Sequence, residues 1–136
     1  MKLIFNRQDK YQPDPFIFED DGRFYIYVTN NGEPNGVEAY SADTLTGPYR
    51  YEGAVTAFRD AKSYWAPAVI KIGDTYYMYV SCEKGDKFEH MHVAKADNPL
   101  GPFTDEKMLY DRFSIDAHMV ETKAGLFLFY AENNTE

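Results

Sequence analysis

Short apolar runs separated by turn-forming residues pattern the whole chain, and nowhere do apolar residues recur at helical spacing. Residues 64–81, YWAPAVIKIGDTYYMYVS, show the unit most clearly. An apolar strand over 67–72 meets a tight turn at Gly73-Asp74, and an aromatic strand returns over 76–80. β-Branched and aromatic runs on either side of a Gly/Asp turn predict a β-hairpin. Nearly the same phrase occurs upstream as PDPFIFEDDGRFYIYVT, residues 13–29, and downstream as IDAHMVETKAGLFLFY, residues 115–130. In the upstream copy Asp20-Asp21-Gly22 makes the turn. Its return strand alternates cleanly, with Phe24, Ile26 and Val28 against Tyr25, Tyr27 and Thr29.

The repetition extends beyond the hairpin. Pro15 recurs as Pro67 and Tyr25 as Tyr77, both 52 positions on. Residues 41–49, SADTLTGPY, return 54 positions later as KADNPLGPF, keeping Ala, Asp, Gly, Pro and a closing ring. Further strands are predicted over 37–42 and 49–52, a loop over 30–36, and an inter-repeat connection over 52–62. An edge strand is predicted at Leu3-Ile4-Phe5. Four short strands per unit, repeated about every 50 residues, is the pattern of β-propeller blades. The expected class is therefore all-β: two four-stranded antiparallel blades and a partial third, with repeats over 13–53, 65–107 and 115–136. The chain's 136 residues hold about 2.6 such units, against roughly 4 to 8 blades in closed propellers. Open blade faces rich in rings predict self-association, or association with missing blades.

Composition narrows the partners. A net charge of −8, from 22 Asp and Glu against 14 Lys and Arg, leaves no basic stripe for nucleic acid or an anionic membrane surface. No apolar run approaches transmembrane length, and the opening MKLIFNRQDK is too short in apolar residues for a signal peptide. A single cysteine, Cys82, makes no internal disulfide and suits a reducing compartment. The default expectation is a cytoplasmic protein, unless a leader has been lost. Twelve Tyr, ten Phe and one Trp serve first to fill the space between stacked sheets, and secondarily to meet flat sugar faces.

In a propeller the start of each innermost strand borders the central channel. Those starts differ between copies: Pro13-Asp14-Pro15, Tyr64-Trp65-Ala66-Pro67, and Ser114-Ile115-Asp116-Ala117. Two carboxylates and the only Trp at equivalent positions make a glycosidase-like constellation, although an Asp before Pro or Ala also serves simply to cap a turn. His90 and His92 lie two apart on one strand, but no third ligand of matching spacing follows, so no metal or other cofactor is expected. His118 follows Asp116 closely but is read as pointing to another face, with a structural role or one supporting the site from behind.

The three ordered motifs DPFIFEDDGRFYIYVT, YWAPAVIKIGDTYYMYVS and SIDAHMVETKAGLFLFYAE resemble the N-terminal half of glycoside hydrolase family 43. The resemblance spans residues 11–133. It implies a five-bladed propeller that hydrolyses arabinose- or xylose-containing glycans with inversion. It also implies that Asp14 is the general base that deprotonates water. Asp116 becomes the carboxylate that raises and orients the general acid, and Trp65 a pocket wall. The family's general acid is a Glu in a Glu-Gly pair in a later blade. No Glu-Gly follows Asp116; Glu52-Gly53 falls too early, and Glu121, Glu132 and Glu136 are poor substitutes. Two functions are therefore expected: a glycosidase represented by a part that lacks its acid, or a non-catalytic carbohydrate-binding or self-assembling module.

Overall fold

The computed structural model describes residues 10–133, so the expected strand at Leu3-Ile4-Phe5 lies outside the described residues. Ten strands and no helix make up those residues. β1 (Phe16–Asp20), β2 (Arg23–Val28), β3 (Val37–Ala42) and β4 (Arg50–Thr56) form one antiparallel sheet in sequence order. β5 (Ala61–Ile72), β6 (Thr75–Lys84), β7 (Glu89–Ala96) and β8 (Thr104–Met108) form a second in the same order. β9 (Ser114–Thr122) and β10 (Gly125–Glu132) form a two-stranded third. This is the expected pair of four-stranded blades with a partial third.

Register confirms that the sheets are copies. Phe16 faces Tyr27, Ala68 faces Tyr79, and His118 faces Phe129. The 52-residue offset of the first two copies is thus a structural equivalence. The Gly-Pro pairs at 47–48 and 101–102 also match, with left-handed Gly47 and Gly101.

The expected connection over residues 52–62 is a correction. β4 continues to Thr56 and β5 begins at Ala61, so only four residues separate the blades. Alternation hides both ends. β3–β4 pairing shifts register beside Glu38 and again beside Tyr40, with Gly53 at φ +86°. β5–β6 pairing shifts on both sides of Trp65, with Ser63 and Ala66 left-handed. Each bulge breaks the two-residue period on which strand recognition rests.

The blades stack face to face. Tyr25, Tyr27, Val37 and Ala39 of the first meet Tyr76, Met78, Val80 and Ala94 of the second in one core. Within it Tyr27 packs edge-on against Phe103, and Phe18 against Tyr76. The Tyr27 hydroxyl donates to the Pro99 carbonyl at 2.7 Å, so a ring buried whole still satisfies its polar tip. The far face of the second blade packs Ala68 and Met91 against Ala117, Leu128 and Tyr130. Its middle strands are therefore covered on both faces. The third hairpin is covered on one, leaving Phe127 and Phe129 46% and 60% exposed.

Polar contacts set the blades' relative position. Asp20 on β1 accepts from the Tyr76 hydroxyl at 2.6 Å and from Lys71 Nζ at 2.9 Å. The Tyr76 bond foremost, with Lys71 assisting against burial, holds the Asp20 carboxyl below the usual range. Two buried groups run the other way. Neither Glu89 oxygen and neither His92 nitrogen has a hydrogen-bond partner. Burial pushes Glu89 up to about 8 and His92 down to about 4, so near neutrality both are held largely uncharged.

Two predictions follow from packing and from these charges. Gly36 is left-handed, and a Cβ there would lie 1.8 Å from the Thr56 carbonyl oxygen. Gly36→Ala should cost roughly 2–3 kcal/mol, read as a lower urea midpoint at unchanged m-value. Glu89 titrates higher in the fold than its ordinary 4.5, so its stabilising share is complete below that value and is lost as pH rises through about 8. Glu89→Gln should flatten this decline by on the order of 2–4 kcal/mol between pH 5 and pH 9, measured by urea unfolding across that range.

Candidate functional site

The first strand of each copy carries the same backbone feature at the same register position. Asp14, Ala66 and Asp116 each stand two residues ahead of the equivalent positions Phe16, Ala68 and His118. All three have left-handed backbone, with φ of +53°, +45° and +59°. Aspartate tolerates that conformation; for Ala66 it costs about 1–2 kcal/mol. Such strain persists only where the surroundings over-determine it, and it concentrates at functional sites.

The surroundings here are a polar seam between blades one and two. Asn30 and Tyr64 exchange both backbone bonds, at 2.8 and 2.9 Å. Tyr64 is fully buried, and its hydroxyl accepts the Phe58 amide at 2.7 Å. On one side of this bridge Thr29 Oγ1 donates to Asp14 Oδ2 at 2.7 Å and accepts the Ala66 amide at 2.8 Å. On the other, the Trp65 indole donates to Asn31 Oδ1 at 2.6 Å, fixing the ring at a half-buried position. The Asn30 amide donates to the Pro34 and Gly36 carbonyls, and its oxygen accepts from Gly32, closing the 30–36 loop on itself. The seam between blades two and three is built alike: Ser81, the counterpart of Thr29, donates from Oγ to the Ser114 carbonyl at 2.7 Å.

The charge of Asp14 reaches Asp116. Burial first, then the negative charge of Asp14, raises the Asp116 carboxyl above its ordinary 3.8. The shift records two carboxyl groups of different blades that share one electrostatic environment. Trp65 lies within β5, next to Ala66, the equivalent position of the intervening strand. Two surface clefts lie elsewhere, one lined by Tyr77, Lys95 and Asp105, the other by Arg23, Thr44 and Arg50.

Other candidates have structural occupations. His90 Nε2 pairs with Asp86 at 3.0 Å and its Nδ1 approaches the Tyr110 carbonyl, while His92 packs against Phe58. Among the described residues no cluster of three His, Cys, Asp or Glu is arranged to hold a metal. Cys82 is fully buried and its thiol is pushed up to about 12, largely by burial. Asp21 and Gly22 are the left-handed pair of a hairpin turn. Glu52 holds Ser41 and Arg50 on outer strand β4. Glu132 holds Arg112 at 2.6 Å, and Glu121 is exposed toward the opposite end of β9 from Asp116. Glu136 lies outside the described residues.

Thr29 and Asn31 are the site residues that sequence reasoning missed. One signal was present: a hydroxyl recurs at the 52-residue offset in both full copies, as Thr29 and Ser81.

Asp14→Asn should lower the titration midpoint of Asp116 without restoring its ordinary value, because the charge is removed and the burial stays. A ¹³C-carboxyl NMR titration checks this. An unchanged midpoint would mean the two groups do not share one environment.

Comparison with known proteins converges on one group. The profile for glycosyl hydrolases family 43 matches residues 8–136. Xylosidase/arabinosidase 43A of Humicola insolens is 27% identical over 141 residues, covering 88% of this chain and 43% of that protein. The crystal structure of a thermostable family-43 glycoside hydrolase superposes with TM-score 0.79 at 25% identity, over 89% of this chain and 41% of that one. A β-xylosidase/α-arabinofuranosidase from a compost microbial metagenome, crystallised with xylotriose, superposes with TM-score 0.77 at 20% identity, over 94% and 44%. The chain thus spans about two-fifths of the length of these relatives.

Proposed function

The chain belongs to glycosyl hydrolase family 43, and from that premise we propose that it carries the water-activating side of an inverting glycosidase acting on xylose- or arabinose-containing glycans. In this reading Asp14 is the general base. Its free oxygen accepts a proton from water as the water oxygen attacks the anomeric carbon and the bond to the leaving oxygen breaks. Asp116 supplies the neighbouring charge that keeps a general acid protonated and aimed. Trp65 offers its ring as the wall beside the sugar. The observation that carries the reading is the placement of Asp14 and Asp116 at equivalent left-handed positions, with Asp116 within reach of the Asp14 charge.

The proton for the leaving oxygen is assigned to a residue outside those described. Glu52 and Glu132 are engaged elsewhere, and Glu121 stands away from Asp116. General acid catalysis contributes roughly 10²–10⁴-fold, so these 136 residues alone should turn over poorly. A second reading, a sugar-binding module that assembles through its open face, draws on the exposure of Phe127 and Phe129.

The test uses the chain's single tryptophan as its own probe. Xylose, arabinose and xylotriose should perturb Trp65 fluorescence in a saturable way. Turnover of 4-nitrophenyl xyloside and arabinofuranoside should stay at the level of an Asp14→Ala control. Turnover that disappears in the control would place an acid within these residues. No fluorescence response to any of the three sugars would remove the sugar site itself. A concentration-dependent dimer in sedimentation, together with a response to sugar but no turnover, would favour the second reading.

A further inference from the structure

We propose that Thr29 is a positioning residue for Asp14, locking one carboxylate oxygen so that the other alone is presented to water or ligand. The catalytic meaning rests on the reading of Asp14 as a base; the geometry does not. Thr29 is 2% exposed and contributes one hydroxyl, which is one donor and two acceptor sites. The Ala66 amide has only a proton to give, so the Thr29 oxygen accepts it at 2.8 Å. An ionised carboxylate only accepts, so the hydroxyl proton points at Asp14 Oδ2 across 2.7 Å. The direction of the chain from Ala66 N–H through Thr29 O–H to Asp14 is thereby set by chemistry, and each bond polarises the next.

Every part of Thr29 grips the same place. Its amide donates to the Pro13 carbonyl at 3.1 Å, so the residue before Asp14 is held by backbone while Asp14 is held by side chain. The two residues that follow complete the clamp. Asn30 bonds the Tyr64 backbone and Asn31 takes the Trp65 indole. Three consecutive residues therefore hold the carboxylate of one blade and the aromatic wall of the next in a single frame. Loss of that frame would leave Asp14 free to rotate.

The second seam provides an internal contrast. Ser81 stands where Thr29 does, but position 66 is alanine and offers no carboxylate, so the Ser81 hydroxyl turns to the Ser114 carbonyl instead. A hydroxyl at this position stitches blades in both copies. Only Thr29 also addresses an acid.

The experiment requires no turnover, so its failure is separable from failure of the glycosidase reading. Measure the Asp14 χ1 couplings by NMR in the full chain, in Thr29→Val, Thr29→Ser and Ser81→Ala, and follow exchange of the Ala66 amide. The wild-type chain should hold Asp14 in one rotamer. Thr29→Val should average it over several and speed Ala66 exchange at least tenfold. Thr29→Ser should restore both, and Ser81→Ala should leave the Asp14 rotamer alone. A single Asp14 rotamer in folded Thr29→Val, or equal averaging in Ser81→Ala, would overturn the assignment. If Thr29→Val does not fold, the wild-type chain decides: Asp14 couplings averaged over rotamers overturn the assignment as well.

Discussion

The face-to-face packing of the first two blades is the constraint on which the rest depends. Each sheet buries its large rings against the other, and the core they form reaches from Tyr25 and Tyr27 to Tyr76 and Phe103. Burying a ring of this size is worth roughly 2–3 kcal/mol, so a handful of rings outweighs any one polar contact in the seam. Directional contacts then decide how the sheets sit. The Asn30–Tyr64 bridge links them at the strand starts, and Asp20 with Tyr76 and Lys71 links them at the hairpin turns. Hydrophobic area supplies the attraction, and these bonds supply the alignment.

That alignment is what makes a site possible. Asp14 precedes the first sheet and Asp116 belongs to the third, and no local segment could bring the charge of one to the other. The left-handed backbone at Asp14, Ala66 and Asp116 is a local cost that the stacked blades sustain. The seam residues are spent on holding it: Thr29 on Asp14 and Ala66, Asn31 on Trp65. The unpartnered Glu89 and His92 are further costs that the same core carries.

Much of the architecture was legible because strands and tight turns are local chemistry. Phe24, Ile26 and Val28 alternating with Tyr25 and Tyr27 announce a strand, and Asp21-Gly22 announces its turn; the register Phe16 to Tyr27 agrees with both. The ends of β4 and the beginning of β5 were not legible, because bulges around Gly53 and Ala66 disrupt the alternation that marks a strand. The repeats also pointed to Asp14 and Asp116 as equivalent positions before any contact was known, but the register puts Ala66, one residue after Trp65, at the matching place in the second copy.

By itself, then, the sequence determined the unit, its copy number and which positions are equivalent, since these depend on side-chain periodicity and turn preference within a few residues. Only the tertiary structure decided which equivalent positions interact and what holds them. Thr29 lies 15 residues from Asp14 and 37 from Ala66, yet its hydroxyl touches both. Asn31 lies 34 residues from the indole it holds. A hydrogen bond needs its partners within about 3 Å and correctly aimed, and periodicity carries no such information between strands far apart in the chain. The raised Asp116 carboxyl has the same origin: its environment is made by burial and by a charge from another blade, and exists only once the blades have stacked.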